Sequence, residues 1–317
     1  MTKGRERLFP AGDDLIAPGV KFRILHLTFR MGTHVVKDDM RALMDLDYEG
    51  IVFEVFRALL DDYSEEELKD CIGRAYRGKF ETDELTPLSP IGGKYLLELY
   101  HGPTSAFKDM ALCMLPPLMS KALKGQQVMI LTATSGDTGK AAMEGFCDVP
   151  GTKIIVFYPD GGVSAVQKAQ MVTQEGANVG VCGIEGNFDD AQTGVKVIFS
   201  DEKLREELDK RGWFLSSANS INWGRLLPQI VYYISAYCDL VNTGAIAYGD
   251  KINFCVPTGN FGDILAGYYA MRMGLPVGRL ICASNRNDVL TQFLRTGVYD
   301  RDREFFETIS PSMDILV

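Results

Sequence analysis

Apolar residues recur at helical spacing in the first quarter of the chain. Between residues 37 and 77 they stand three and four positions apart, which is the period of one helix face. Ser64 followed by Glu67 is a capping-box signature that predicts the start of a further helix. The Pro- and Gly-bearing stretch TPLSPIGG (86–93) breaks this pattern. We therefore predict an N-terminal helical region over 37–93, preceded by a separate segment, 1–36.

From residue 94 to residue 317, short apolar runs alternate with helical segments. The runs predict strands at YLLELY (95–100), VMILTAT (128–134), KIIVFYP (153–159), NVGVCGI (178–184), INFCVPT (252–258) and RLICAS (279–284). The segments between them predict helices near 106–124, 138–147, 164–175, 188–211, 223–241 and 263–273. This alternation predicts an α/β fold of mostly parallel sheets with helices on both faces. Its length suggests two lobes, and ligands are expected at the carboxyl ends of the strands.

Composition narrows the classes of partner. The net charge is −9 over 317 residues, so no basic surface offsets the carboxylates and nucleic acid is not an expected partner. The charged start and the lack of an apolar run of about 18 residues predict a chain that is neither exported nor membrane-spanning. Seven scattered cysteines without a C-x-x-C pair favour the reducing cytoplasm. A small molecule is the expected partner, and monomer and homodimer both stay open.

Two strand ends lead into glycine-bearing loops that can bind an anion. The first runs from Thr134 through Ser135, Gly136, Asp137 and Thr138 into a helix, and its amides and hydroxyls can hold a carboxylate or a phosphate. The second is GNFGD (259–263), which also opens a helix. Each loop is also compatible with a plain strand-to-helix turn capped by its aspartate.

A third anion-binding candidate precedes a long predicted helix. Asn219 and Ser220 supply polar donors, and Arg225 adds a guanidinium that can grip a phosphate dianion. The alternative interpretation is a capping loop beside a solvated arginine. No metal site is assigned.

The most informative lysine lies in HGPTSAFKD (101–109), between a predicted strand and a helix. Small and aromatic neighbours after a tight turn can keep the Lys108 amine partly desolvated, so that it loses its proton and attacks a carbonyl. A single lysine on a helix is usually a solvated surface charge. The three anion loops that follow it favour the chemical interpretation, with His101 stabilising the turn.

Taken together, HGPTSAFKD, LTATSGDTG, SANSIN with Arg225, and VPTGNFGD resemble threonine synthase in their order and spacing. Threonine synthases are fold-type-II enzymes that use pyridoxal 5'-phosphate (PLP), within the tryptophan synthase beta-like superfamily. SNRND (284–288), SPSMDI (310–315) and the helices of 37–77 are also similar to segments of that family. The resemblance implies a cytoplasmic lyase of threonine biosynthesis that converts O-phospho-L-homoserine and water to L-threonine and phosphate.

The resemblance also implies a role for each matching residue. Lys108 is the Schiff-base lysine and proton shuttle. The cofactor is held by Lys108, by Asp137 beside its ring, and at its phosphate by Gly259, Asn260, Phe261, Gly262 and Asp263. The substrate carboxylate is received by Thr134, Ser135, Gly136, Asp137 and Thr138. The substrate phosphate is gripped by Asn219, Ser220 and Arg225.

Two departures from the family pattern leave alternatives open. Residues 1–36 do not resemble the family's N-terminal segment, and family members continue beyond SPSMDI. We therefore expect an incomplete large lobe that lacks the usual hydroxyl partner of the pyridine nitrogen. The alternatives are a phospho-lyase that releases 2-oxobutyrate, ammonia and phosphate, and an inactive PLP-binding remnant. A Rossmann dinucleotide binder is disfavoured, because no G-x-G-x-x-G follows a strand.

Overall fold

A computed structural model describes residues 40–123, 125–219, 222–257, 261–300, 302–310 and 314. The predicted segment 1–36 lies outside these residues. The described part of the chain begins with three helices, α1 (Met40–Leu43), α2 (Tyr48–Leu59) and α3 (Glu65–Tyr76). Ser64 and Glu67 form the capping box at the start of α3, as predicted.

The stretch 86–93 does more than interrupt the helical pattern. It contains strand β1 (Leu88–Ile91), which pairs antiparallel with β2 (Lys94–Leu97) in a two-stranded hairpin. Gly92 and Gly93 form its turn at φ 50° and 77°, a conformation that glycine adopts without steric cost. The strand predicted over 95–100 is thus shorter than expected and does not join a parallel sheet.

Four parallel strands form the main sheet in the order β5-β4-β3-β6. They are β3 (Gln127–Ala133), β4 (Thr152–Pro159), β5 (Val179–Ile184) and β6 (Trp213–Ser216). The sequence pattern did not predict β6. Its sequence, WFLS, is only four residues long and comes soon after the charged helical segment EKLREELDK. β6 nevertheless brings the segment that begins at Ser217 next to the end of β3.

Helices cover both faces of the main sheet, as the sequence predicted. Alternate residues of β3 point to opposite faces, since successive side chains of a strand alternate. Val128 and Ile130 pack in a core with α6 (Asp137–Phe146) and α7 (Ala165–Val172). Leu131 and Ala133 pack on the other face against α8 (Phe188–Ser200).

Two predicted helices are each divided into two. The helix expected over 106–124 consists of α4 (Asp109–Leu112) and α5 (Leu115–Ala122), and prolines lie in the first turn of α5, where their missing N–H groups cost nothing. The helix expected over 188–211 ends at Ser200, and α9 (Glu202–Lys210) follows directly. The Asp201 side chain accepts a hydrogen bond from the Leu204 N–H and so starts α9 anew.

The rest of the described chain is built around α10 (Trp223–Asn242), whose residues are almost all buried. A second parallel pair, β7 (Ile252–Pro257) and β8 (Val277–Ala283), flanks α11 (Phe261–Met273), and α12 (Val289–Thr296) follows. One hydrophobic core joins α1–α3 to α4, α10 and α11. The N-terminal helices therefore pack directly on the elements that carry the candidate site.

Candidate active site

A compact turn delivers Lys108 to the start of α4. The buried Asp109 carboxylate organises this turn: Oδ2 accepts the Thr104 N–H at 2.8 Å, and Oδ1 accepts the Thr104 hydroxyl at 2.6 Å. Gly102 leaves room for this carboxylate, since a Cβ there would lie 2.6 Å from it. His101 stabilises the chain before the turn through a 2.7 Å contact between Nε2 and Glu98. The backbone of Lys108 is therefore held from both sides.

The Lys108 amine is buried inside the protein. Its Nζ lies 3.3 Å from Asp137 Oδ2 and 5.0 Å from the centre of the Phe107 ring. Burial lowers the pKa of Lys108, the negative charge of Asp137 opposes that shift, and the positive charge of Arg225 adds to it. A lysine in this environment reaches the neutral, nucleophilic form at a lower pH than a solvated one.

The loop after β3 is organised by a threonine hydroxyl. Thr134 Oγ1 accepts the N–H groups of Gly136 and Gly139, both at 2.9 Å. Gly136 is the N-cap of α6 at φ 139°, and Ser135 is exposed at the tip. Asp137 and Thr138, both partly exposed, form the first turn of α6, so the loop presents a helix N-terminus next to Lys108.

The segment after β6 lies against the same loop. Asn219 donates its side-chain N–H to the Ala133 carbonyl at 2.9 Å, which ties the end of β6 to the end of β3. Arg225 is only 1% exposed, and its Nη1 donates to the Ala218 carbonyl at 2.9 Å. Its Nε and Nη2 are buried without a hydrogen-bond partner among the residues that the structure describes. Ser220 lies outside those residues.

Arg225 is therefore a buried cation with donor atoms that no described residue satisfies. Burial lowers the pKa of its guanidinium to about 10, which leaves the group charged near neutral pH. A buried charge with unsatisfied donors is unfavourable unless a partner neutralises it, and a phosphate group can do so through several charge-assisted bonds. The solvated-arginine interpretation of this residue is thus wrong.

The predicted loop GNFGD (259–263) is described only from Phe261 onward, and Gly259 and Asn260 lie outside the described residues. Phe261 and Gly262 open α11, and Phe261 is about half exposed. The Asp263 carboxylate is buried and accepts hydrogen bonds from the hydroxyls of Tyr232 and Tyr233. Burial raises the pKa of Asp263. Its side chain therefore fixes α11 to α10.

Two organising side chains were not identified from the sequence. One is Asp109, which shapes the lysine turn, and the other is Gln167, whose Nε2 donates to Asp137 Oδ1 at 2.6 Å. The spacing Ser164-x-x-Gln167 is a capping-box pattern that could have indicated the start of α7. Nothing in the local sequence indicates that Gln167 contacts Asp137, 30 positions earlier.

Comparison with known proteins identifies the family to which this chain belongs. A family described as "Pyridoxal-phosphate dependent enzyme" matches residues 84–316, which is most of the chain. The chain belongs to this family. Its cofactor is pyridoxal 5'-phosphate and its fold is type II, so both expectations from the sequence are confirmed.

Individual relatives agree with the resemblance to threonine synthase. The chain is 46% identical to human "Threonine synthase-like 1" over 258 residues, covering 78% of this chain and 35% of the human protein. It is 42% identical to threonine synthase of Pseudomonas aeruginosa, with 88% of this chain and 58% of that protein covered. The crystal structure of PLP-bound threonine synthase from Brucella melitensis superposes with a TM-score of 0.77 at 40% identity, covering 88% and 59% of the two chains.

The chain thus spans between about a third and three-fifths of the length of these relatives. In the described part of the chain, no helix combines the length and the apolar character that crossing a membrane requires.

The described residues fit the cofactor of this PLP-dependent family. Lys108 offers a buried amine with a lowered pKa, which is suited to bonding with the cofactor aldehyde. The charge of Arg225 acts on Lys108, and its Nε and Nη2, which no described residue satisfies, could donate to the oxygens of an anion.

Proposed function

We propose that this chain carries the chemistry of a threonine synthase, converting O-phospho-L-homoserine and water to L-threonine and phosphate. One observation carries the proposal: a buried lysine and a buried arginine, whose Nε and Nη2 no described residue satisfies, lie near enough for the charge of Arg225 to act on Lys108. A PLP enzyme needs the first for its cofactor, and a phosphorylated substrate needs the second. The identity to threonine synthases over most of the chain supports the same reaction.

Each part of the site has a task in this proposal. Lys108 bonds to the cofactor, the segment 259–263 receives the cofactor phosphate, and Asp137 lies beside the ring. The loop 134–138 orients the substrate carboxylate through its amides and hydroxyls. Asn219, Ser220 and Arg225 hold the substrate phosphate. The cofactor, when bound, supplies an electron sink for the carbanion that proton removal creates.

Proton transfer is the task of Lys108. The reaction removes protons from the α and β carbons, expels phosphate from the γ carbon, adds water at the β carbon and returns protons. A lysine whose pKa is lowered by burial exchanges protons near neutral pH more readily than a solvated one. Arg225 stays charged in the same range and can neutralise the departing phosphate.

The experiment that tests the proposal combines cofactor mapping with product analysis. The purified chain is loaded with PLP, reduced with borohydride and mapped by mass spectrometry, and the products of O-phospho-L-homoserine are measured. We expect the label on Lys108, threonine with an equal amount of phosphate, and a loss of at least about 10²–10⁴-fold in Lys108→Ala. Lys94→Ala, at an exposed position, is the matched control.

Each other result has a definite meaning. A label on another lysine would refute the central assignment. 2-Oxobutyrate and ammonia in place of threonine would identify the related phospho-lyase. A labelled Lys108 without turnover would identify a PLP-binding remnant. The free thiols of all seven cysteines support a reducing, cytoplasmic location for any of these activities.

A further inference from the structure

Gln167 is buried at the start of α7 and faces the loop that carries Asp137. Its side chain is 7% exposed, and its Nε2 donates to Asp137 Oδ1 at 2.6 Å. The other oxygen of the same carboxylate, Oδ2, lies 3.3 Å from Lys108 Nζ. A continuous chain of contacts therefore runs from Gln167 through Asp137 to the reactive amine.

The orientation of the Gln167 amide is fixed by its other end. The side-chain Oε1 of Gln167 accepts the backbone N–H of Ser164 at 3.1 Å, and the backbone N–H of Gln167 donates to Ser164 Oγ at 3.2 Å. A backbone N–H can only donate, so the oxygen must face Ser164 and the NH₂ must face the carboxylate. The capping box of α7 thus holds the Gln167 side chain so that one of its amide N–H groups faces Asp137.

Gly136 leaves space for the Gln167 side-chain amide. A Cβ at Gly136 would lie 2.3 Å from Gln167 Cδ, so the amide fills the volume that a side chain would occupy. The Asp137 side chain is 20% exposed, which allows its carboxylate to turn toward solvent when nothing holds it. The Gln167 donor opposes that rotation.

We propose that Gln167 is a positioning residue that holds Asp137 against Lys108 and thereby sets the pH at which the Lys108 amine becomes reactive. The inference deepens the proposed function, since it rests on Lys108 as the reacting lysine. The other charged groups that act on Lys108 are Arg225, Asp109 and Asp263. None of them contacts Gln167 among the described hydrogen bonds, so a change at Gln167 acts through Asp137.

Two variants separate positioning from a purely structural role. Gln167→Met keeps the volume but removes the donor, so Asp137 loses one of the contacts that hold it and is less firmly fixed beside Lys108. Gln167→Glu keeps the acceptor for Ser164 but places a second carboxylate beside Asp137, which adds negative charge near Lys108. The two variants should therefore shift the titration of Lys108 in opposite directions. Loss of structure would shift both in the same direction.

The measurement is made on the full chain after removal of the cofactor. Trace labelling with acetic anhydride across a pH series, followed by mass mapping, gives the midpoint for modification of Lys108, with exposed Lys94 as an internal reference. We expect the Lys108 midpoint to fall by about one pH unit in Gln167→Met and to rise by a similar amount in Gln167→Glu. Gln126→Met, the same substitution at an exposed position, should leave the midpoint unchanged.

An unchanged midpoint in both Gln167 variants, or shifts of the same sign, would overturn the inference. Because this readout needs neither cofactor nor turnover, it is distinct from the borohydride mapping that tests the proposed function. The inference can therefore fail while Lys108 is confirmed as the cofactor lysine. It can also hold in a chain that makes no threonine.

Discussion

At the scale of single residues, the site contains charges that the protein alone does not fully satisfy. Arg225 is fully buried with two unpartnered donor atoms within the described chain, and Asp109 is a buried carboxylate held only by neutral donors. Burying such groups costs free energy, so the protein keeps them at the expense of stability. Replacing each group should show how much stability its burial costs and what the group contributes to the site.

Replacing Arg225 with methionine should separate stability from phosphate binding. In the PLP-loaded protein we expect the free energy of unfolding to stay the same or rise by about 1–4 kcal/mol, because a buried charge is replaced by an apolar group. Inorganic phosphate at about 100 times its dissociation constant should stabilise the unaltered protein by about 2.7 kcal/mol but should not stabilise the variant. Thermal unfolding with and without phosphate measures both effects.

Arg211→Met is the matched control, because Arg211 is exposed. It should change neither the stability nor the response to phosphate. Equal stabilisation of Arg225→Met and the unaltered protein by phosphate would remove Arg225 from the anion site.

Replacing Asp109 with asparagine should make stability less dependent on pH. Burial raises the pKa of Asp109 in the folded state, so its ionisation penalises folding as the pH rises from about 4 through the raised pKa. Asparagine can accept from the Thr104 N–H and donate to the Thr104 hydroxyl without that penalty. We expect Asp109→Asn to equal the unaltered protein near pH 4 and to exceed it by about 1 kcal/mol at pH 7.

Urea unfolding across this pH range makes the comparison. Asp109→Ala should be less stable than Asp109→Asn by about 2 kcal/mol at every pH, because neither variant titrates and alanine leaves the buried Thr104 N–H without an acceptor. A stability difference between Asp109→Asn and the unaltered protein that does not vary with pH would contradict the buried-carboxylate account.

At the scale of elements, the site is assembled where strands end and helices begin. The ends of β3 and β6 are joined by the bond from Asn219 to Ala133, and the starts of α6 and α7 are joined by Gln167 and Asp137. Hydrogen bonds between element ends fix loops that would otherwise be mobile. The loop 134–138 is held in this way at both of its flanks.

Gly136→Ala should disrupt the junction between α6 and α7. The added Cβ would meet Gln167 at 2.3 Å at a backbone φ of 139°, so we expect a loss of about 2–4 kcal/mol from overpacking and backbone strain. It should also displace Gln167 and lower the Lys108 labelling midpoint. Urea unfolding and the labelling assay together measure the two effects.

Gly161→Ala provides the control, because Gly161 also has a positive φ of 87° but nothing lies within 4 Å of the added Cβ. It should lose only about 1–2 kcal/mol, from backbone strain alone, and should leave Lys108 unaffected. Equal losses in the free energy of unfolding at the two glycines would show that the contact with Gln167 does not affect stability.

At the scale of the whole molecule, the N-terminal helices and the catalytic region share one core. The Tyr76 hydroxyl of α3 donates to the Met110 carbonyl of α4 at 2.8 Å, two residues from Lys108. Met110 and the buried face of α10 belong to the same apolar cluster as Phe56 of α2. The helical region should therefore unfold together with the site.

Phe56→Ala tests this coupling. Phe56 is completely buried, so the variant should lose about 3–5 kcal/mol. In urea, far-ultraviolet circular dichroism and the absorbance of the bound cofactor should report one transition, and both midpoints should fall together. Phe305→Ala, at a half-exposed position, should move neither midpoint. A cofactor transition that stays in place while circular dichroism shifts would mean that the helices fold separately.

The sequence by itself determined the features that depend on local patterns. Strand and helix periodicity predicted every described parallel strand except β6 and the helices on both faces, and the spacing of Ser64 and Glu67 predicted the start of α3. The short motifs around Lys108, Asp137 and Arg225 identified the family, because each places an amine, a carboxylate or a guanidinium near the start of a helix.

Only the tertiary structure decided which groups meet. Asn219 binds a carbonyl 86 positions earlier, and Gln167 binds a carboxylate 30 positions earlier. Neither contact leaves a periodic signal, since each depends on how the sheet aligns its strand ends. The burial of Arg225 and the contact between Lys108 and Asp137 have the same origin. Packing removes these groups from water, and that desolvation shifts their pKa values and leaves Arg225 prepared for an anion.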